Sequence, residues 1–380
     1  MVQPVNGKAW QGRSARTAAV GALVLALVAG LAGCGEPSPA ELISQARTAL
    51  AKKDTEAARI SLKSALQQAP DNGEARFLLG ELLHNGGDMA GAEVELRRAL
   101  ELQHPQDQVI PLLASALVGL GKGALLVQQF GTTTLTDPSA QARLDTTLAL
   151  AEAGTGNLDG AGTRLDRVLR TAPDDAAALL LRARLTAAGG DNAAALAEVQ
   201  ALLAKQPDNA DAWLMQGDLL ARPTANQPRP PAAPAIAAYQ EALKRKPDSV
   251  AAHTALIGLH LAAADNAAAN TQWTALQKVA PRHPQTLFFD AVLSEQRGDL
   301  KHAREVTQQL LRGAPENPQV LMVAGQVELK LNALAQAEAH FAKAVQLLPK
   351  AQGPRAQLAQ VQVRGGQADK ALSTLAPLLQ

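Results

Sequence analysis

Aromatic side chains are nearly missing: Phe, Trp and Tyr together make up 2% of the 380 residues. Stacking platforms that grip single strands or sugar rings need several aromatic faces in one place, so that class of binding is excluded. Cysteine occurs once, at Cys34, which leaves no internal disulfide and no thiolate metal site. An excess of either charge is missing as well. Lys and Arg number 36 against 35 Asp and Glu, a formal charge of +1, without the basic surplus that a phosphate backbone requires. What remains is Ala, Leu, Gln and mixed charges with few β-branched runs, helix-forming material throughout.

The first residues carry an address. Lys8, Arg13 and Arg16 precede a stretch, residues 18–32, that is almost wholly small or aliphatic. At about 1.5 Å per residue it reaches about 22 Å, short of a hydrocarbon core of roughly 30 Å. It reads as the apolar region of a signal peptide, with residues 1–33 removed. Leu31-Ala32-Gly33-Cys34 matches the bacterial lipobox. Small residues leave the cut accessible, and the thiol of Cys34 is the nucleophile that accepts a diacylglyceryl group. Two or three acyl chains anchor a protein stably, at about 0.8 kcal/mol per buried CH₂. Residues 34–37 then form a lipidated tether. Gly35, where Asp would favour retention at the inner membrane, points to the outer membrane, with the chain anchored in the cell envelope at its periplasmic face. Loss of Lys8, Arg13 and Arg16 takes the formal charge from +1 to −2.

Beyond the leader the chain repeats itself. Prolines recur at Pro70, Pro105, Pro138, Pro173, Pro207, Pro247, Pro281, Pro315 and Pro349, spaced 33–35 residues apart except for one gap of 40. Five are followed at once by Asp or Glu (Asp71, Asp174, Asp208, Asp248, Glu316), suited to the start of a helix. Midway lie turns such as Gly87-Asp88, Gly190-Asp191 and Gly298-Asp299, with Ala264-Asp265 and Gly366-Gln367 as variants. Each unit is thus two helices of roughly 12–15 residues and a tight turn. Second helices carry a small, large, small pattern: Ala58, Leu62, Ala65; Ala92, Leu96, Ala99; Ala235, Tyr239, Ala242; Ala337, Phe341, Ala344. First helices place a small residue at a fixed offset, as at Gly80, Gly217 and Gly325, so the two helices approach closely and the large residues fill the gap to the next hairpin.

In period, turn and residue order this closely resembles the tetratricopeptide repeat. The resemblance implies an all-α, right-handed α-solenoid of about ten helical hairpins over residues 38–380. Residues 106–173 fit the template weakly, and the glycine-rich part, 106–138, is expected to be the least stable unit. A Pro-rich insertion, 222–234, lengthens one turn. The fold implies that first helices line a concave face, with the residues around the small position pointing into it. Those residues are Phe77, Glu81 and His84, then Leu180 and Arg184, then Leu214 and Asp218, and finally Phe288, Met322 and Gln326. A groove mixing apolar anchors with isolated charges suits an extended or helical protein segment.

No chemistry is legible beside it. None of the seven histidines stands in a metal-ligand spacing, and His253 and His260 lie two helical turns apart. The stretch from Gly154 to Gly160 has its third glycine one residue late for a dinucleotide loop, and it falls at a turn between helices. Carboxylates read as solvated helix faces mixed with Lys and Arg. The expectation is a non-catalytic scaffold with no cofactor, no metal and no nucleic acid, whose partners are protein segments and, through its anchor, the membrane.

A narrower resemblance lies in residues 34–130. The lipobox Cys34 and the blocks ALAKKDTEAA, LKSALQQAPDN, EARFLLGELL and AEVELRRALEL are similar, in that order, to the tetratricopeptide lipoproteins of the PEP-CTERM/exosortase system. Membership implies a setting of exopolysaccharide biosynthesis and export and of PEP-CTERM protein sorting. Two other roles fit the same features: a scaffold for outer-membrane protein assembly or cell-wall enzymes, and an accessory subunit of a surface enzyme.

Overall fold

The computed structural model describes Met1 and residues 36–224 and 227–378; the rest of the leader, 2–33, and Cys34 lie outside the described residues. The chain divides into two compact units, Met1–Val168 and Leu169–Gln380. The first holds α1 (Pro39–Ala51) with α2 (Thr55–Gln68), α3 (Gly73–Asn85) with α4 (Met89–Glu101), α5 (Gln106–Gly119) with α6 (Gly123–Phe130), and α7 (Pro138–Gly154) with most of α8 (Leu158–Thr171). In the second, α9 (Ala176–Ala188) pairs with α10 (Asn192–Lys205), α11 (Ala210–Ala221) with α12 (Ala232–Arg245), and α13 (Val250–Ala262) with α14 (Asn266–Val279). After these come α15 (Pro284–Arg297) with α16 (Leu300–Gly313), α17 (Pro318–Lys330) with α18 (Leu334–Leu347), and α19 (Gln352–Arg364) with α20 (Ala368–Leu375). These are the ten hairpins read from the proline period.

The turns work as the Gly-Asp pairs suggest. The aspartate is the N-cap of the second helix: Asp88, Asp191 and Asp299 each accept the N–H three residues on, as do Asp54 and Asp265. Each such cap contributes about 1 kcal/mol. The residue before it takes a left-handed backbone, which the sequence meets with glycine at Gly87, Gly190 and Gly298 but with Lys53 and Ala264 elsewhere; Asn332 does the same before Ala333, which offers no side-chain cap. Ala264, at φ +57°, has no polar side chain to compensate the clash of its Cβ. Ala264→Gly should therefore stabilise the α13–α14 hairpin by about 0.5–1 kcal/mol despite the added freedom of the unfolded chain. Slower amide exchange in α14 is the expected reading, and faster exchange contradicts it.

At the junctions between hairpins the acidic residue after the proline is not the cap. The cap is one residue further on, at Asn72, Asp175, Asn209, Ser249 and Asn317. The displaced Asp71, Asp174, Asp208 and Glu316 pair with Arg98, Lys205, Arg245 and Lys343 at 2.5, 2.6, 3.5 and 2.7 Å. These pairs are largely exposed and worth up to about 1 kcal/mol each. The proline's own carbonyl is claimed by a donor six residues on: Arg76 to Pro70, Trp213 to Pro207, His253 to Pro247 and Arg355 to Pro349. These four junctions thus satisfy a main-chain acceptor that neither helix can use.

The small positions do what close approach requires. A Cβ placed on Gly80 would lie 2.7 Å from Cγ of Leu96, and one on Gly217 or Gly325 would lie 2.5 Å from the ring of Tyr239 or Phe341. Only glycine lets the helices of these hairpins come so near.

The glycine-rich segment departs from the template in pattern and not in packing: Leu113, Leu117, Leu126 and Phe130 belong to the most extensive of the described core clusters, which runs from Ala92 to Ala151. Pattern is lost because α6 shortens to 8 residues while α7 lengthens to 17, so length moves between neighbours and the core stays filled. The Pro-rich insertion is shorter than read. Residues 232–234 form the first turn of α12, where Pro234 has no helical N–H to forfeit. The loop is moored at its start, with Arg222 donating to the Ala187 carbonyl at 3.0 Å and Asn192 to that of Leu219 at 3.1 Å.

Candidate partner-binding surface

The first-helix residues expected to face a partner fall into three kinds. Some pack. Phe77 is half-buried, stacks on His104 with ring centroids 4.7 Å apart, and touches the core clusters on both sides of its hairpin. Met322 lies on the cluster of Phe341, Leu358 and Val361. Leu180 and Leu214 likewise pack against buried clusters. Phe77 and Met322, read from the sequence as facing the groove, thus also carry packing. A side chain just before the small position touches the next hairpin as well as solvent.

Others are engaged in polar contacts. His84 Nε2 is 2.8 Å from Ser115 Oγ on α5. Asp218 accepts the Tyr239 hydroxyl at 2.8 Å. Partial burial lifts the Asp218 carboxyl above its ordinary value, against the pull of that hydrogen bond and of Arg184 and Arg222. Burial, and then the Asp218 charge, push the Tyr239 phenol up, so it stays a donor. Arg184, Asp218 and Arg222 therefore share one electrostatic neighbourhood in the second unit.

The rest stay available. Glu81 and Gln326 are half-exposed, and Arg184 is exposed. Phe288 sits edge-on to Phe289, centroids 5.3 Å apart, and lines a surface cavity of about 280 Å³ walled by α15, α16 and the start of α17. A larger opening, about 640 Å³, lies between the first two hairpins. Of its charges, Arg59 is paired with Glu56 at 2.6 Å and Asp88 is held in its cap, and Lys53 lines it as well. Replacing Phe77 or Met322 by Ala should cost about 1–3 kcal/mol, below the cost at a fully buried site, whereas Phe288→Ala should leave stability nearly unchanged. Thermal melts of the three variants decide this; equal losses would return Phe288 to the core.

Sequence reasoning missed a buried ion cluster. Arg164 on α8 donates to Asp145 at 3.0 Å, to Glu152 at 2.9 Å and to the Gly131 carbonyl at 2.8 Å, while Gln141 holds the other Asp145 oxygen. Asp145 and Glu152 stand two turns apart on α7 among Leu144, Leu148 and Ala151, and that apolar setting was the available signal. One guanidinium bonds both carboxylates, so the group organises packing between α7 and α8. Nor does the trio of Ser294, Asp290 and His302 make a nucleophile. Ser294 Oγ is wholly buried and donates to Asp290, and His302 reaches Asp290 rather than the serine. His253, buried, is bonded to the Pro247 carbonyl and Gln272. Among the described residues no three His, Cys, Asp or Glu side chains gather as metal ligands, and no helix is long and apolar enough to cross a membrane.

Helix pairs with a capped turn, a small residue at the crossing and a proline at each junction define a helical-hairpin repeat protein. Two family models, both described as tetratricopeptide repeat, match residues 49–116 and 152–219 and residues 254–318 and 295–352. Between them they take in more than half of the sequence, and the chain belongs to the tetratricopeptide-repeat family. Residues 117–151 and the Pro-rich loop fall between the matches. No curated protein matches the chain. Among solved structures, PilF of Pseudomonas aeruginosa is similar at 18% identity and a TM-score of 0.50, over 60% of this chain and 99% of that one. PilW, a type IV pilus biogenesis factor, is similar at 19% identity and 0.45, over 53% and 90%. Yeast Tom70 follows at 14% and 0.43, over 89% and 91%. At these identities the likeness is one of fold.

Proposed function

We propose that the chain is a non-catalytic scaffold that holds protein segments in the bacterial cell envelope. The observation that carries this is the repeat itself: helical hairpins in both units present first-helix side chains, Arg184 and Phe288 among them, that packing leaves available. The lipobox ending at Cys34 places the scaffold on a membrane through acyl chains, by the sorting residue Gly35 on the outer membrane. Resemblance over residues 34–130 to the PEP-CTERM-associated lipoproteins gives the setting, exopolysaccharide export and surface-protein sorting. Cells fed a fatty-acid probe should label the chain, and Cys34→Ala should abolish label and membrane partition together. A labelled Cys34→Ala chain ends the lipoprotein reading. Crosslinking in intact envelopes, then purification, should recover polysaccharide-export or sorting components; barrel-assembly proteins or murein hydrolases in their place would move the scaffold to another assembly.

A further inference from the structure

The cavity at Phe288 differs in kind from the rest of the surface. Its floor is apolar, with Phe288, Leu310 and Val320, and Gln285, Gln309 and Gln319 stand around it; no charged residue lines it. None of the three glutamine side chains has a hydrogen-bond partner among the described residues. Phe288 is set in place by its edge-to-face contact with Phe289, which itself packs on the cluster of Ile257 and Leu293. A fixed wall costs little to order on binding. At about 280 Å³ the space lies at the lower edge of the roughly 300–1,000 Å³ of sites that take a drug-sized molecule. It suits one large side chain.

The polar part of the wall says what flanks that side chain. A carboxamide both donates and accepts, as a peptide group does, so glutamines around an apolar well match main-chain N–H and C=O on either side of a buried residue. A charged ligand would lose water there and meet no counter-ion. We propose that this cavity is a socket for one large apolar side chain, Leu, Ile, Met or Phe, of an uncharged stretch of a partner protein. The glutamines bond the segment's main chain. The inference rests on the reading of the chain as a protein-binding scaffold and gives that reading a partner chemistry.

A random peptide library displayed on phage and selected on the full chain tests it. The expected consensus has one large apolar residue within a run free of Asp, Glu, Lys and Arg. Affinity of the selected peptides should change less than about twofold across a tenfold range of salt, since no exposed charge pair is formed. It should fall about tenfold or more in Phe288→Ala, as for a buried apolar anchor. Gln309→Glu, which puts a charge on the exposed rim, should produce a loss of the same order with an unchanged melting temperature. Selected peptides that bind both variants as tightly as the wild type, or that carry charges and lose affinity steeply with salt, overturn the socket while leaving the scaffold reading standing. Failure to select any peptide overturns both.

Discussion

Phe341→Ala is expected to destabilise the α17–α18 hairpin by about 3–5 kcal/mol, because the ring is wholly buried and fills the space beside Gly325. The converse change has a cost too. Gly325→Ala sets a methyl carbon 2.5 Å from Cε1 of Phe341, so ring or helix must shift, at about 1–3 kcal/mol. Together the two changes should cost less than their sum, since the new methyl enters the space the ring has left, with a coupling of about 0.5–3 kcal/mol. Amide exchange in α17 and α18 is the measurement of choice, because it reads the opening of this hairpin separately from the rest of the chain. Additive losses would show that glycine and ring do not share that space.

The second large effect lies in the first unit. Arg164→Met should cost about 3–5 kcal/mol by leaving two carboxylates in the interior with no adequate counter-charge. Their side chains are 3% and 8% exposed for Asp145 and Glu152. Arg167, 3.7 Å from Asp145 and mostly solvated, is too distant to replace the bidentate hold. One oxygen of Glu152 already lacks a hydrogen-bond partner in the wild type. Adding Asp145→Asn and Glu152→Gln to Arg164→Met should recover much of the loss, because the remaining groups are neutral. Denaturant unfolding of the three proteins measures this. A loss under about 1 kcal/mol for Arg164→Met alone would mean that water reaches the cluster.

What the sequence revealed and what it hid follow from the range of the forces involved. The prolines that recur every 33–35 residues fall at or beside helix ends, and a glycine opposite a large residue marks a close crossing by local sterics alone. The period, the ten hairpins and the pairs of Gly80, Gly217 and Gly325 were therefore legible. Which residue caps each junction was left open by the sequence, because Asp71 and Asn72 are both good caps and only the course of the chain after Pro70 decides between them. Leu144, Leu148 and Ala151 hinted at the burial of Asp145 and Glu152, but the partner Arg164 is set by which face of α7 the next helix covers. The same holds for the surface. Phe77 and Phe288 occupy similar places on their first helices, yet one stacks on His104 and the other lines an open cavity, a difference set by the neighbouring hairpin.

The junctions bear on how such a chain can change length over evolutionary time. The junction after Pro70 carries its own cap, its own carbonyl donor six residues on and its own ion pair, all supplied from within a single repeat's length of sequence. A segment cut from one proline to the next and copied in tandem would bring along every bond needed to seat it, so duplication need not await compensating mutations elsewhere. The Pro-rich loop marks the other route. Between the moored Arg222 and the first turn of α12, residues can be gained without disturbing a junction, which makes hairpin tips the natural place for such a protein to acquire new sequence.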